Sequence, residues 1–537
     1  MDFFSNVTAN STGPDAFRPT AMPGLAAILV PSSIQSPVKL SLTTLAVALV
    51  SFLVSALWRP RVHKQSPAFT SDTVPFFGSF GFIVRGWSFW QGCIIESTTG
   101  NFSFWLGKRH VVGISGPAAR RLFYDHPDLE LVSGATLVPF GPHFMPPVHP
   151  IFREGYHSGR NSSFMLRRLA AMLKTEQLEN HLPDLLRDTR GDIAALLANN
   201  PSGVTYTPAI WRSVLKHNSR LFFTDEVVED PKQWEQYVGL MDTALHTASI
   251  FNVAFPWLPS PMYIKRRLMR YGLQRFTSKV IDRRMRPGAP RKDDPMQMLL
   301  DSQDRKEFMV EFFFSLVFIS SANTHAVAAQ LLQIMAIHPE WQERIYAEVK
   351  HAAETHSRRK HAATLVEQLD GLPLAAWETS FPSLDLCMRE VVRMWLSISA
   401  ARRNTGKAPI PIPGTDEVIP SMTFAIYNTT ETHFSDALYP DPTKFDPERH
   451  LPDREEYKQE TYGYLGWGQG QKPCPGSRWA KLQMAIIVGY ALATYKWTPC
   501  NKDGSPDPEA RHRKVLDSAN PLSLPAAYCK LEPREVV

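Results

Sequence analysis

The sequence predicts a mainly α-helical domain with small β-sheets, preceded by one amino-terminal transmembrane helix. Three features predict it. Long stretches near residues 164–197, 232–249, 263–285, 306–338, 340–355, 383–396 and 477–495 carry helical periodicity, whereas only short segments near 103–114 and 418–428 alternate as strands. No charge appears from Leu40 to Trp58. Finally, a glycine-rich loop around Cys474 runs directly into the last long helix.

Composition sets the outer bounds. Of 537 residues, 44% are hydrophobic and 20% charged, which is globular rather than disordered. Five cysteines exclude a disulfide scaffold and fit reduced thiols in a cytosol-facing protein. The formal charge of +6, without a long basic run, is too weak a field to argue for nucleic acid. The 44 prolines point to long, rigid irregular segments.

Taken in order, the first element is the charge-free run. As a helix it would span about 28 Å, close to the hydrocarbon core of a bilayer. Arg59, Arg61, His63 and Lys64 follow it, with Trp58 at the boundary. Basic residues stay on the cytosolic side, so residues 1–39 are expected in the lumen. The sequons at Asn6 and Asn10 agree with that orientation and are glycosylation candidates, while those at Asn101, Asn161 and Asn428 would stay unmodified. A cleaved secretory signal would carry its positive charges before the apolar run, and here they follow it. The expected organisation is a lumenal tail 1–39, a transmembrane anchor 40–58, a basic, proline-rich linker 59–80 and a catalytic domain 81–537. Within that domain, the stretch 306–338 is apolar nearly all round and should run through the core.

The most informative stretch is Tyr464-Leu465-Gly466-Trp467-Gly468-Gln469-Gly470-Gln471-Lys472-Pro473-Cys474-Pro475-Gly476. Its glycines supply positive φ and close backbone approach. Pro475 suits the first position of a helix, and the run 477–495 supplies that helix. A thiol there should see the positive end of the helix dipole and the Lys472 cation, so its pKa is expected to fall toward the thiolate. A flat electropositive loop presenting one thiolate is what a thiolate-ligated heme needs, because the sulfur pushes electron density onto iron.

The pattern W-G-x-G-x-K-x-C-x-G resembles the heme-binding loop of cytochrome P450 enzymes, F-G-x-G-x-R-x-C-x-G, with Trp467 in place of Phe and Lys472 in place of Arg. Upstream, Glu390-Val391-Val392-Arg393 and Pro447-Glu448-Arg449 resemble the motifs from which the family builds a buried network, which implies a structural role for Glu390, Arg393 and Arg449. His433, Tyr439-Pro440-Asp441-Pro442 and Phe445-Asp446 between them are also similar to the family. Arg402 falls where the family often has a propionate-binding arginine, and Arg403 is an equal alternative. The early-helix propionate arginine is not distinct; Arg160, Arg167 and Arg168 lie in the right region.

His338-Pro339-Glu340 resembles the end of the family's distal helix. Counting back, the family's acid–Thr pair for proton delivery should fall at 322–323, where this chain has Ala322-Asn323, followed by Thr324. A similar Ala-Asn-Thr occurs in the branch holding the bile-acid sterol hydroxylases, and prostacyclin synthase likewise has Asn there. Asn323 and Thr324 are therefore the candidate catalytic side chains, and Phe314, Phe318 and Ser321 candidate pocket neighbours.

The resemblance implies the P450 fold, heme b with Cys474 as axial thiolate, and a loop of Trp467, Gly468, Gly470, Lys472 and Gly476 around the cofactor. It implies an endoplasmic-reticulum monooxygenase that takes O2, a lipophilic small molecule such as a terpenoid, sterol, alkaloid or polyketide, and electrons from NADPH-cytochrome P450 reductase. No G-x-G-x-x-G lies between a strand and a helix, so the electrons need such a partner. Lys472, Arg478 and Lys481 would form part of its docking face, and membrane lipid would hold the anchor. The missing acid motivates an alternative, a heme-thiolate isomerase or dehydratase that needs no reductase. A non-catalytic heme-binding protein is a third class.

Overall fold

The computed structural model describes residues 41, 43–51, 58–74, 78–137, 149–153, 163–198, 200, 202–247, 260–395, 398–510, 517 and 527–534. The chain divides into two units, 1–59 and 60–537. In the first, residues 41 and 43–51 are helical and exposed, Leu45, Val47, Leu49 and Val50 among them. The rest of the 40–58 run except Trp58, together with Asn6 and Asn10, lies outside the described residues.

The second unit is helical with small sheets. Its principal helices are α1 (Gly86–Glu96), α2 (Gly116–Asp125), α3 (Phe164–Met172), α4 (Thr175–Ala198), α5 (Trp211–Phe222), α6 (Pro231–His246), α7 (Pro261–Arg284), α8 (Lys306–Ile337), α9 (Pro339–His356), α10 (Leu374–Thr379), α11 (Pro382–Trp395) and α12 (Ser477–Thr494). Local chemistry sets several starts. Before α7, the Ser260 hydroxyl accepts from the Tyr263 N–H at 3.1 Å, with Pro261 in the first turn. Asp230 does the same for α6, accepting from the N–H groups of Lys232 and Gln233 at 2.9 and 3.1 Å.

Strands β1 (Phe102–Leu106), β2 (Arg109–Gly113), β3 (Leu129–Glu130), β4 (Val204–Tyr206), β5 (Ser399–Asn404), β6 (Ile410–Pro411), β7 (Val418–Ile419), β8 (Phe424–Asn428), β9 (Tyr495–Cys500) and β10 (Tyr528–Pro533) complete the fold. They form a five-stranded sheet in the order β1-β2-β8-β5-β3, a three-stranded sheet β4-β10-β9 and the pair β6-β7. β1 and β2 make a hairpin pairing Phe102 with Gly113. β8 then joins β2 in parallel, Val112 opposite Ala425.

Two differences from the sequence reading have physical causes. The stretch 164–197 is two helices, because the chain leaves helical geometry at Leu173 and restarts at Thr175. Strands β5, β9 and β10 and helices α1, α2 and α5 were not expected from the sequence. β9 and β10 owe their conformation to long-range pairing, β10 with β9 (Cys500 opposite Tyr528) and with β4 (Tyr528 opposite Tyr206), which is invisible to local pattern. The segment 60–80 is bonded to the domain: Thr70 N–H donates to Ser103 O at 3.0 Å and Ser79 N–H to Trp105 O at 2.7 Å.

Helix α8 is the axis of the core. It is apolar and long enough to cross a membrane by length and composition, yet 83% of its most apolar window is buried inside the domain. It packs against α5, α7, α11 and α12.

Candidate functional site

The cysteine loop is held by its own backbone. The Cys474 N–H donates to Trp467 O at 2.7 Å and the Gly468 N–H to Leu465 O at 3.0 Å. Gly468 and Gly470 have φ of 66° and 63°, in the left-handed region. A Cβ on Gly470 would lie 2.4 Å from Tyr124 O, so glycine is required for the loop to close on the end of α2. A Cβ on Gly476 would meet no protein atom within 4 Å, so that side of the loop faces open space. Cys474 is exposed, whereas Cys93, Cys387, Cys500 and Cys529 are buried.

The thiol does not behave as the sequence reading expects. Although the residue is open to solvent on one side, crowding by the surrounding loop desolvates the thiol and pushes its pKa up, and the Gly476 N–H only partly offsets this. The expected depression fails because α12 begins at Ser477, after Gly476, and desolvation outweighs that one dipole. A coordinating metal would remove the proton outright.

Behind the loop sits a fully buried charge network. Glu390 accepts from Arg393 Nε and Nη2, both at 2.8 Å, from Arg449 Nε at 3.0 Å and from the Asp446 N–H at 3.2 Å. His450 Nε2 lies 3.0 Å from its other oxygen. Burial alone would raise the Glu390 pKa, but Arg393 and His450 outweigh it and hold the carboxylate at about 2. Arg393 also donates to the carbonyl of His433, whose Nε2 accepts from the Leu465 N–H at 2.9 Å. The network thus reaches the cysteine loop through one residue. The part played by His450 was missed from sequence, although it directly follows Arg449.

Strand alternation separates the two arginine candidates. Arg402 is buried beside α2, its guanidinium 5.2 Å from the Phe123 ring and 5.4 Å from that of Tyr124. Its Nη1 donates to Leu129 O at 3.2 Å and its Nε has no hydrogen-bond partner; Glu130 and Asp125 act on it only at longer range than an ion pair. Arg403 is half-buried and donates to Met422 O. Lys472 is half-buried. Arg168 is taken by Asp304 at 2.6 Å, and Arg160 lies outside the described residues.

On α8, every residue from Phe308 to Leu332 is buried except Ile319 and Ser320, which are half-buried, and Asn323, which is exposed. An accessible patch at this spacing in the middle of a core helix is the wall of a recess. The Asn323 amide donates to Ile319 O at 3.3 Å, while Thr324 is buried. Ser321 faces the opposite way. Its hydroxyl lies 3.0 Å from Asn218 Nδ2, and Asn218 Oδ1 accepts from Trp479 Nε1 at 2.7 Å. This buried amide, which the sequence reading missed, ties α8 and α12 together through α5. Phe314 and Phe318 are core residues.

The residues present fit a heme. The one exposed thiol, the side-chain-free position at Gly476 and a buried guanidinium without a directly paired carboxylate match an iron porphyrin with carboxylate arms. Among the described residues no group of three His, Cys, Asp or Glu could hold a bare metal ion, whereas a porphyrin needs only the single thiolate. The expected docking cations are largely neutralised: Arg478 binds Glu378 at 2.6 Å and Lys481 binds Asp385 at 2.7 Å.

This fold and site define a heme-thiolate enzyme. The family model for cytochrome P450 matches residues 71–525. The chain is 50% identical over 497 residues to cytochrome P450 monooxygenase nsrP of Aspergillus novofumigatus, covering 91% of this chain and 96% of that one. It is 46% identical over 505 residues to cytochrome P450 monooxygenase AacuE of Aspergillus aculeatus, covering 93% and 100%. A retinoic-acid-bound cyanobacterial CYP120A1 superposes with a TM-score of 0.66 at 18% identity, over 88% of this chain and 100% of that one. The chain belongs to the cytochrome P450 family, and it is a monooxygenase with heme iron on an axial thiolate.

Proposed function

We propose that the protein is a membrane-anchored monooxygenase acting in a biosynthetic step on a lipophilic small molecule of the terpenoid, sterol, alkaloid or polyketide kind, with electrons from NADPH through the microsomal flavoprotein reductase. The observation that carries the site assignment is Cys474, the exposed cysteine, on a loop that closes over two left-handed glycines.

When bound, the heme supplies the redox chemistry that places one atom of O2 in the substrate and releases the other as water. Cys474 Sγ would ligate the iron, Arg402 and Lys472 would hold the propionates, and Trp467 would pack beside the loop. Glu390, Arg393 and Arg449 keep the loop in register through His433. Asn323 takes the place of the usual acid–alcohol pair: its Nδ2 is engaged by Ile319 O, which leaves Oδ1 to accept a hydrogen from a water in the recess. Thr324, being buried, plays a lesser part.

The anchor reading is supported by the charge-free run 40–58 and by the exposure of Leu45, Val47, Leu49 and Val50 on a helix outside the catalytic unit. Apolar side chains in that setting need a lipid cover. An endoplasmic-reticulum location with a lumenal amino terminus follows from the basic residues after the run. Reductase docking beside Cys474 would use Lys472 and the paired Arg478 and Lys481. The alternative of an isomerase or dehydratase is favoured only by Ala322 standing where an acid is usual, and the relatives named monooxygenases support oxygen insertion instead.

Purified full-length protein with reductase, NADPH and O2 tests the proposal. The expected result is a thiolate-type carbonyl spectrum and products one oxygen atom heavier from a panel of lipophilic compounds. Turnover independent of NADPH and O2 would overturn it.

A further inference from the structure

Seven arginines are buried among the described residues, and five of them meet carboxylates. Arg120 binds Glu460, Arg220 binds Asp188 and Asp225, Arg284 binds Asp294 and Glu226, and Arg393 and Arg449 share Glu390. This follows from the cost of burying a charge, which is several kcal/mol unless a partner is present. Two break the pattern. Arg402 is explained by a heme propionate. The other is Arg266, only 4% exposed, with Nε and Nη2 buried and without any hydrogen-bond partner.

The position of Arg266 indicates what should meet it. It belongs to the buried stripe of α7, with Met269, Leu273, Phe276 and Val280. That helix crosses the first half of α8: Asp282 binds Lys306 at 2.6 Å and Arg270 binds Glu311 at 2.7 Å. Arg266 lies one turn before Arg270 on the same buried stripe, so it continues this line along the first half of α8 beyond Glu311. Arg270 already covers the Phe314 ring at 5.1 Å. Glu311, the buried carboxylate nearby, is committed to Arg270. Among the described residues no carboxylate lies within ion-pair distance of Arg266.

We propose that Arg266 is a substrate-recognition residue, its guanidinium binding a carboxylate on the lipophilic substrate between α7 and the first half of α8. The preferred substrates are thus lipophilic acids, held by their charged end while the apolar body extends toward the heme. The inference rests on the monooxygenase reading, in which a lipophilic molecule occupies the distal side.

The test uses the holoenzyme with pyrene-1-carboxylic acid and its methyl ester, followed by the heme difference spectrum and by quenching of pyrene fluorescence. Wild type is expected to bind the acid about 10-fold more tightly than the ester. R266M should bring the two within about 2-fold by weakening the acid only, and R266K should restore part of the preference. Free of ligand, R266M should unfold at or above the wild-type temperature, because an unpaired buried charge has been removed. No acid preference in wild type, an undiminished preference in R266M, or a clearly lower unfolding temperature for R266M would each overturn the inference. So would loss of heme from R266M, which would place the guanidinium on the porphyrin. Failure of the underlying reading would look different: wild type itself would lack the thiolate-type carbonyl spectrum and NADPH-dependent oxidation.

Discussion

Replacing Glu390 with Gln removes one negative charge from the buried network while keeping its shape. The carboxylate sits at about 2 in the folded protein against an ordinary 4.5, and that gap corresponds to about 3 kcal/mol of stability. Breaking a buried pair by removing one partner costs roughly 3–5 kcal/mol, so the two routes agree near the lower figure. The sign follows from the depressed pKa. The contribution is fully present above about pH 4.5 and is lost as the pH falls toward 2. The Gln variant should therefore unfold about 3 °C below wild type at neutral pH, given the unfolding entropy of a domain this size. The difference should shrink through that acid window. Thermal unfolding followed by circular dichroism measures it, with the thiolate-type carbonyl adduct read in parallel, since His433 links the network to the cysteine loop. Equal unfolding temperatures and identical acid limbs would refute the reasoning.

Cys474→His should abolish monooxygenation even where porphyrin is retained, and wild-type turnover by that variant would sink the ligand assignment. Asn323→Ala should raise the share of reducing equivalents released as hydrogen peroxide, whereas Thr324→Ala, at a buried position, should change it less; an equal or reversed order would move the proton-handling role off Asn323. Gly470→Ala should lower the yield of heme-loaded protein several-fold, because its Cβ would strike Tyr124 O and its φ of 63° disfavours any side chain. Asn218→Leu should leave the Trp479 N–H and the Ser321 hydroxyl without their buried partner, costing about 1–3 kcal/mol for each. A calorimetric unfolding temperature unchanged from wild type would show that the amide bridges nothing of consequence.

The chemistry of the cysteine loop was legible in one dimension because it is local. Three glycines, a cysteine and the following helix are contiguous, and their order alone implies an exposed thiol at a turn. Long helices such as α8 and α12 were legible for the same reason, since periodicity is a property of neighbours in the chain. Glu390 and Arg393 share a helix face at a spacing that sequence reveals, but their burial does not follow from it. Only the fold brings Arg449, His450 and the Asp446 N–H onto the same carboxylate.

Elsewhere the tertiary structure decided. Arg402 and Arg403 are adjacent and chemically identical, and only the pleat of β5 in its sheet turns one inward and the other out. Asn323 and Thr324 were likewise equivalent until the packing of α8 exposed the first and buried the second. Strands β9 and β10 exist because the fold brings them together with β4 in one sheet, and Arg266 is unusual only in what does not surround it. Sequence by itself determined the glycine-rich turn, the longest helices and Cys474 as the candidate ligand, since each depends on residues a few positions apart. Burial, counter-ions and facing direction depend on residues hundreds of positions away, and those the folded chain alone could set.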